Sequence, residues 1–176
     1  NNAFTNKLGL HLDGVEDYAL VDPIIIGSNN MSFEYYYKEL DHFKHSIHFS
    51  FRVSLDDDTS SKFIIKKGNN NRSITLEIQN NDGYVLVNHM STQRILEDSW
   101  NHIVVTIDNS NSYIYINGQL SSFKRWNNNN SNIKSVNYIF NTIGNEDDYG
   151  FYSYTKMILA YLKIWNNLTL NLEEVN

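Results

Sequence analysis

The chain contains no cysteine. That excludes a disulfide framework, a thiolate metal site and a cysteine nucleophile. One proline and eight glycines in 176 residues exclude a collagen-like or Pro/Gly-rich low-complexity chain. Long apolar runs are also missing. Ile24 to Ile26 and Met157 to Leu162 are the fullest, whereas a membrane-spanning helix needs about 20 apolar residues, so no membrane insertion is expected. The N-terminus lacks the basic and apolar pattern of a signal peptide. Basic residues are scarce: 14 Lys and Arg against 20 Asp and Glu give a net charge of -6 and a pI near 5.4. Nucleic acid and anionic lipid, which call for a basic patch, are excluded as main partners.

Tyrosine and phenylalanine are plentiful and alanine is rare, a bias that favours strands over helices. The length suits one domain with a sizeable core. The abrupt opening at Asn1-Asn2 leads us to expect a single domain over residues 1–176, excised from a longer protein that supplies its other domains. Asparagine is over-used, with a run at Asn127 to Asn130 that lengthens polar turns without adding core. At this composition the four Asn-x-Ser/Thr sequons, at Asn30, Asn71, Asn129 and Asn167, are no more than chance gives.

Period-two alternation runs from end to end. Leu8, Leu10 and Leu12 alternate with polar neighbours, as do Met31, Phe33, Tyr35 and Tyr37, and Ile47, Phe49, Phe51 and Val53. Each reads as a strand with one buried face. Further runs are Phe63 to Ile65, Ile74 to Ile78, Tyr84 to Val87, Ile103 to Ile107, Tyr113 to Ile116, Val136 to Phe140 and Ile158 to Trp165. At least ten strands result, too many for one flat sheet and suited to two packed antiparallel sheets. Asp82-Gly83 and Asn117-Gly118 accept positive φ and predict tight hairpins. Lys66 to Arg72 and Trp126 to Asn132 read as longer loops.

Three segments carry a family resemblance. The opening Leu8-Gly-Leu-His-Leu-Asp-Gly-Val-Glu-Asp-Tyr-Ala-Leu-Val21 is similar to the first strand and turn of laminin-G-like domains. Ser99-Trp-Asn-His-Ile-Val-Val-Thr-Ile-Asp108, followed by Tyr113-Ile-Tyr-Ile-Asn-Gly118, resembles their central hairpin. Ile143-Gly-Asn-Glu-Asp-Asp-Tyr-Gly150, Met157 to Leu168 and Leu170-Asn-Leu-Glu-Glu-Val175 resemble the last loop, last strand and closing stretch. The resemblance implies an all-β, two-sheet antiparallel jelly-roll sandwich of the concanavalin A-like, laminin-G type. It further implies a location outside or on the surface of a cell. The superfamily holds lectins, pentraxins and polysaccharide hydrolases, so fold leaves function open.

Glu146, Asp147 and Asp148 resemble the pentraxin calcium loop, whose hard oxygen ligands suit Ca²⁺. Asp56, Asp57 and Asp58 form a second acidic run, which on this reading converges on the same cation. The competing reading is that both runs are solvated turns. Tyr149, Tyr152 and Tyr154 crowd the closing loop, and Trp126 beside Lys124 and Arg125 is a candidate to stack on a sugar or fill a partner's pocket. Its alternative is an anchor under its own loop. Trp100 and Trp165 occupy framework positions expected in the core. Asp41, His42, His45 and His48 invite zinc, but their spacing of three converges only on a helix, whereas this segment runs into a strand with His48 on its polar face. His11 and His102 are expected at the surface.

Jelly-roll hydrolases place Glu-x-Asp-x-x-Glu along one strand, bringing two carboxylates within about 5.5 Å. Here Glu39-Leu-Asp-His-Phe-Lys44 puts lysine at the second carboxylate. Gly-x-Ser-x-Gly and phosphate-binding loops are absent too. The expected function is therefore a non-catalytic binding module that takes a glycan or glycosylated protein through its rim loops, with calcium as cofactor. The alternatives are a structural or assembly domain packed against other domains or subunits and, more distantly, a polysaccharide hydrolase.

Overall fold

The computed structural model describes residues 3–26, 30–40, 46–54, 60–68, 72–108, 110–126, 136–145 and 154–175. In chain order the strands are β1 (Phe4–Asn6), β2 (Gly9–Asp13), β3 (Ala19–Val21), β4 (Ile24–Ile26), β5 (Asn30–Glu39), β6 (Ser46–Arg52), β7 (Lys62–Lys67) and β8 (Ile74–Gln79). They continue with β9 (Val85–Met90), β10 (Trp100–Asp108), β11 (Asn111–Ile116), β12 (Gln119–Arg125), β13 (Val136–Tyr138), β14 (Phe140–Ile143) and β15 (Lys156–Asn166), and the chain closes on the helix α1 (Leu172–Val175). One sheet has the order β1-β2-β15-β5-β10-β11-β12 and the other β3-β14-β6-β7-β8-β9, with β4 and β13 forming a separate ribbon. All pairings are antiparallel. No helix among the described residues is long and apolar enough to cross a membrane.

Alternation decides which residues meet between the sheets. Phe33, Tyr35 and Tyr37 of β5 and Ile103, Val105 and Ile107 of β10 face Phe49 and Phe51 of β6, Phe63 and Ile65 of β7, and Ile74, Leu76 and Ile78 of β8. Rings lock the layers together: Phe33 stacks on Phe63 at 4.4 Å and Tyr35 meets Phe49 edge-on at 4.8 Å. Each such pair adds about 0.5–1.5 kcal/mol beyond burial itself.

Both expected hairpins form. Asn117 and Gly118 take φ of 52° and 76°, as a two-residue turn between β11 and β12 requires. Between β8 and β9 the Asn80 side-chain oxygen accepts from the backbone N–H of Asp82 and Tyr84, and Gly83 has φ of 78°. The Val136 to Phe140 run departs from a single strand. Ile139 donates its N–H to the Arg52 carbonyl, and the chain passes there from the β4–β13 ribbon to the six-stranded sheet.

After β15 the chain crosses the outer face of the seven-stranded sheet. Ser32, in mid-strand on that face, donates to the Leu168 carbonyl and accepts from the Leu170 N–H, each at 2.9 Å. Leu170 and Val175 then bury against Val104 and Tyr115. Asn171 caps α1 by accepting from Glu173 N–H, while Glu174 accepts from Asn171 N–H, a reciprocal capping box. The strap covers one half of the outer face and leaves the other half open.

Candidate functional site

The interior holds one unexpected polar cluster. Glu39, at the end of β5, pairs with Lys67 of β7 at 3.2 Å across the two sheets, and its second oxygen lies 3.3 Å from His48 Nε2. A carboxylate only accepts, so His48 donates from Nε2, while its Nδ1 lies 3.1 Å from the Tyr35 hydroxyl. His48 and the Glu39 side chain are fully buried, and burial pushes the Tyr35 and Tyr37 phenols far above their usual range. This corrects the expected polar-face position of His48: a one-residue irregularity between Ile47 and Phe49 turns its side chain inward. Among the described residues no group of three or more His, Asp or Glu side chains is arranged to hold a metal. Asp41, His42, His45 and Lys44 lie outside the described residues.

The open half of the outer face is built differently. Strands β15, β5 and β10 are neighbours, and their registers set Ile158, Lys38 and Trp100 in one row, Tyr161, Tyr36 and His102 in the next, and Lys163, Glu34 and Val104 in the third. Trp100 stacks on Tyr36 at 5.0 Å and 17°, and Tyr36 on Tyr161 at 6.1 Å and 28°. The planes are near parallel, and the strand order β15-β5-β10 puts Tyr36 between the other two rings. Trp100 is therefore not the core residue expected; it stands on the outer face, half-buried. Trp165 is on the same face and packs against the cluster under the strap.

Glu34 organises this surface. Its Oε1 accepts from the Tyr161 hydroxyl at 2.6 Å and from His102 Nε2 at 3.1 Å, with Lys163 Nζ at 3.4 Å. Burial acts to raise its pKa, but the bonds from Tyr161 and His102 and the Lys163 charge outweigh it and hold the carboxyl below its usual value. Burial, and then the bond to Glu34, drive the Tyr161 phenol in the opposite direction, well above its usual range. Lys163 also sits over the rings of Tyr161, at 4.7 Å, and Trp165, at 5.7 Å. The ammonium thus lies near three neighbours from a side chain that is 54% exposed. His102 is on the outer face as expected, and His11 stacks there on Phe4 at 4.6 Å.

Trp100 lies close to one end of the sandwich. Leu40 N–H bonds to the Lys156 carbonyl and Asp98 N–H to the Glu39 carbonyl, so the connections entering β15 and β10 meet at that rim. The closing loop is rooted there too: Gly144 N–H bonds to the His48 carbonyl and Thr155 N–H to the Gly144 carbonyl. Gly144 has φ of 88°, and a Cβ there would strike the Leu12 side chain, so the root tolerates only glycine. Glu146, Asp147, Asp148, Tyr149 and Tyr152 follow that root and lie outside the described residues, as do Asp56, Asp57 and Asp58. The flanks of the second acidic run are described, however: Val53 N–H bonds to the Ser61 carbonyl and Ser60 to the Ser54 carbonyl, at the opposite end of β6. Five residues of strand, about 17 Å, separate His48 from Val53. The described flanks of the two acidic runs lie at opposite ends of β6.

Trp126 is not an exposed platform. It is 7% exposed and belongs to the main core, with its backbone N–H bonded to the Ser110 carbonyl. The alternative reading of it as a loop anchor is the one its burial fits.

The sequence model of the family described as the concanavalin A-like lectin/glucanases superfamily matches residues 13–176. No curated protein sequence matches the chain. Among solved structures, domain 4 of AbnA, a GH43 extracellular arabinanase from Geobacillus stearothermophilus in complex with arabinotriose, is similar at a TM-score of 0.72 and 16% identity, over 98% of this chain and 78% of that one. The CBM40 of the Ruminococcus gnavus IT-sialidase bound to α2,3 sialyllactose is similar at 0.69 and 12% identity, over 89% of this chain and 96% of that one. The heptameric SAP-like pentraxin of Limulus polyphemus is similar at 0.65 and 15%, over 94% and 78% respectively. Likeness at these identities speaks for the fold alone.

Proposed function

The chain belongs to the concanavalin A-like lectin/glucanase superfamily, and from that premise we propose that it is a non-catalytic module that binds a glycan. The site lies where the open outer face of the seven-stranded sheet meets the rim of the closing loop. One observation carries this reading: Trp100, Tyr36 and Tyr161 form a row of near-parallel rings beside Glu34, His102 and Lys163 on three adjacent strands. Apolar ring surface next to fixed donors and acceptors is the chemistry a sugar needs, since sugars present C–H faces and hydroxyl edges. Two structural relatives are solved with oligosaccharides, arabinotriose and α2,3 sialyllactose, which supports the ligand class.

The non-catalytic part of the proposal rests on Glu39. A retaining hydrolase needs two carboxylates facing the substrate, and Glu39 instead points between the sheets, held by Lys67 and His48. Calcium enters the proposal through Glu146, Asp147 and Asp148 alone, as an ion that orders the rim beside the ring stack. A glycan array read with calcium and with chelator, using wild type and Trp100→Ala, tests the proposal. Sugar signals lost in the variant support it, and a blank array under both conditions refutes it.

A further inference from the structure

The way the rings are used bears on what kind of glycan fits. A surface that tracks an extended polymer offers successive open ring faces, as single-stranded nucleic acid channels do for bases. Here the rings face one another. Tyr36 stands on the middle strand, with Trp100 on one neighbouring strand and Tyr161 on the other. Tyr161 has Tyr36 on one side and the Lys163 ammonium 4.7 Å from its centroid. Among the described residues, Trp100 is the end of this row, with no further ring or ammonium contact beyond Tyr36.

The other rings on this side of the molecule do not extend the platform. Phe4 is 56% exposed but lies on β1, in the same row as Trp100 and four strands away, about 19 Å at the usual strand spacing. Phe123 is 54% exposed and leans on Tyr113, which is paired with Thr106, six residues along β10 from Trp100 and thus roughly 20 Å off. Between Trp100 and Phe123 runs the strap, whose Leu170 and Val175 cover Val104 and Tyr115. Trp100 stands next to Lys38, its partner across the β10–β5 ladder.

Resting on the glycan-binding reading, we propose that the site takes a single terminal sugar of a glycan, stacked on Trp100, and not a run of successive sugars along the sheet. The remaining sugars of the chain project into solvent past the rim and add little affinity. Tyr36, Tyr161 and Glu34 act by holding Trp100 upright, as positioning residues.

Calorimetric titration of the full chain with mono-, di-, tri- and hexasaccharides of whichever series gives array signals, arabino-oligosaccharides and sialyllactose included, tests this. Affinity is expected to change less than about threefold from disaccharide to hexasaccharide. Trp100→Ala should lower it at least tenfold, Trp100→Tyr should retain most of it, and Phe4→Ala should leave it unchanged. A rise of tenfold or more with chain length, or loss of binding in Phe4→Ala, overturns the terminal-sugar inference while leaving glycan binding in place. Absence of any sugar binding overturns both.

Discussion

Glu39 and Lys67 face each other across the two sheets at 3.2 Å, both side chains almost wholly buried. Such a pair contributes little net stability against a hydrophobic replacement, yet breaking it leaves a buried charge without its counterpart, at about 3–5 kcal/mol. Glu39→Gln and Lys67→Met should each lower the unfolding free energy by about that amount in urea denaturation. The double variant Glu39→Gln, Lys67→Met, which keeps an acceptor for His48 Nε2, should recover most of the loss. Additive losses would mean that the two residues do not act as a pair. Wild type incubated with β-glucans should release no reducing ends.

His89 gives the fold a dependence on acidity. It is buried on β9 with Nδ1 2.7 Å from the Ser112 hydroxyl, and burial, helped by the Lys124 charge, lowers its pKa to about 4. The unfolded chain protonates this residue near its ordinary value of about 6.5. Its contribution is therefore fully present above pH 6.5 and is lost as pH falls towards 4, a change on the order of 3 kcal/mol. His89→Gln should flatten the stability profile between those two values. An unchanged slope in denaturant titrations would place the acid sensitivity elsewhere.

Trp126 separates a core role from a ligand role. Its burial predicts that Trp126→Ala costs about 3–5 kcal/mol of stability, the usual range for emptying so large a site. Sugar affinity per folded molecule should not change. A variant of native stability with impaired sugar binding would return Trp126 to the ligand surface.

Calcium is tested by stability as well as by binding. At about 100 times its dissociation constant an ion stabilises the native state by about 2.7 kcal/mol, which in a domain of this size raises the melting temperature by several degrees. Asp148→Asn should abolish the rise, whereas Asp57→Asn, rooted at the other end of the sheet, should retain it. Identical melting curves in calcium and in chelator would leave the Glu146 to Asp148 run as a solvated turn.

The two-sheet sandwich was legible because alternation is a direct signature of half-buried strands, and the turn chemistry at Asn117-Gly118 was equally plain. The ring stack was half legible. Tyr36 falls in the outward phase of β5, between Glu34 and Lys38, and an aromatic residue in a polar phase is a signal of its own. What alternation does not contain is register: which strands become neighbours, and so that Tyr36, Trp100 and Tyr161 come together from positions far apart in the chain. From sequence alone the reading of His48 as a polar-face residue fails, and that of Trp126 stays open between ligand platform and loop anchor, for a related reason. A one-residue irregularity reverses a side chain's face, and a tryptophan beside a polar loop has the same local sequence whether it anchors the loop or caps it.

The central claim is that Trp100 carries the ligand surface. It is tested most directly by titrating wild type and Trp100→Ala with the same array-selected glycan, with circular dichroism confirming an intact fold in both. We predict at least a tenfold loss of affinity, about 1.4 kcal/mol, with unchanged spectra. Equal affinities would contradict the account, as would a chain that binds no sugar and associates stably with a protein neighbour.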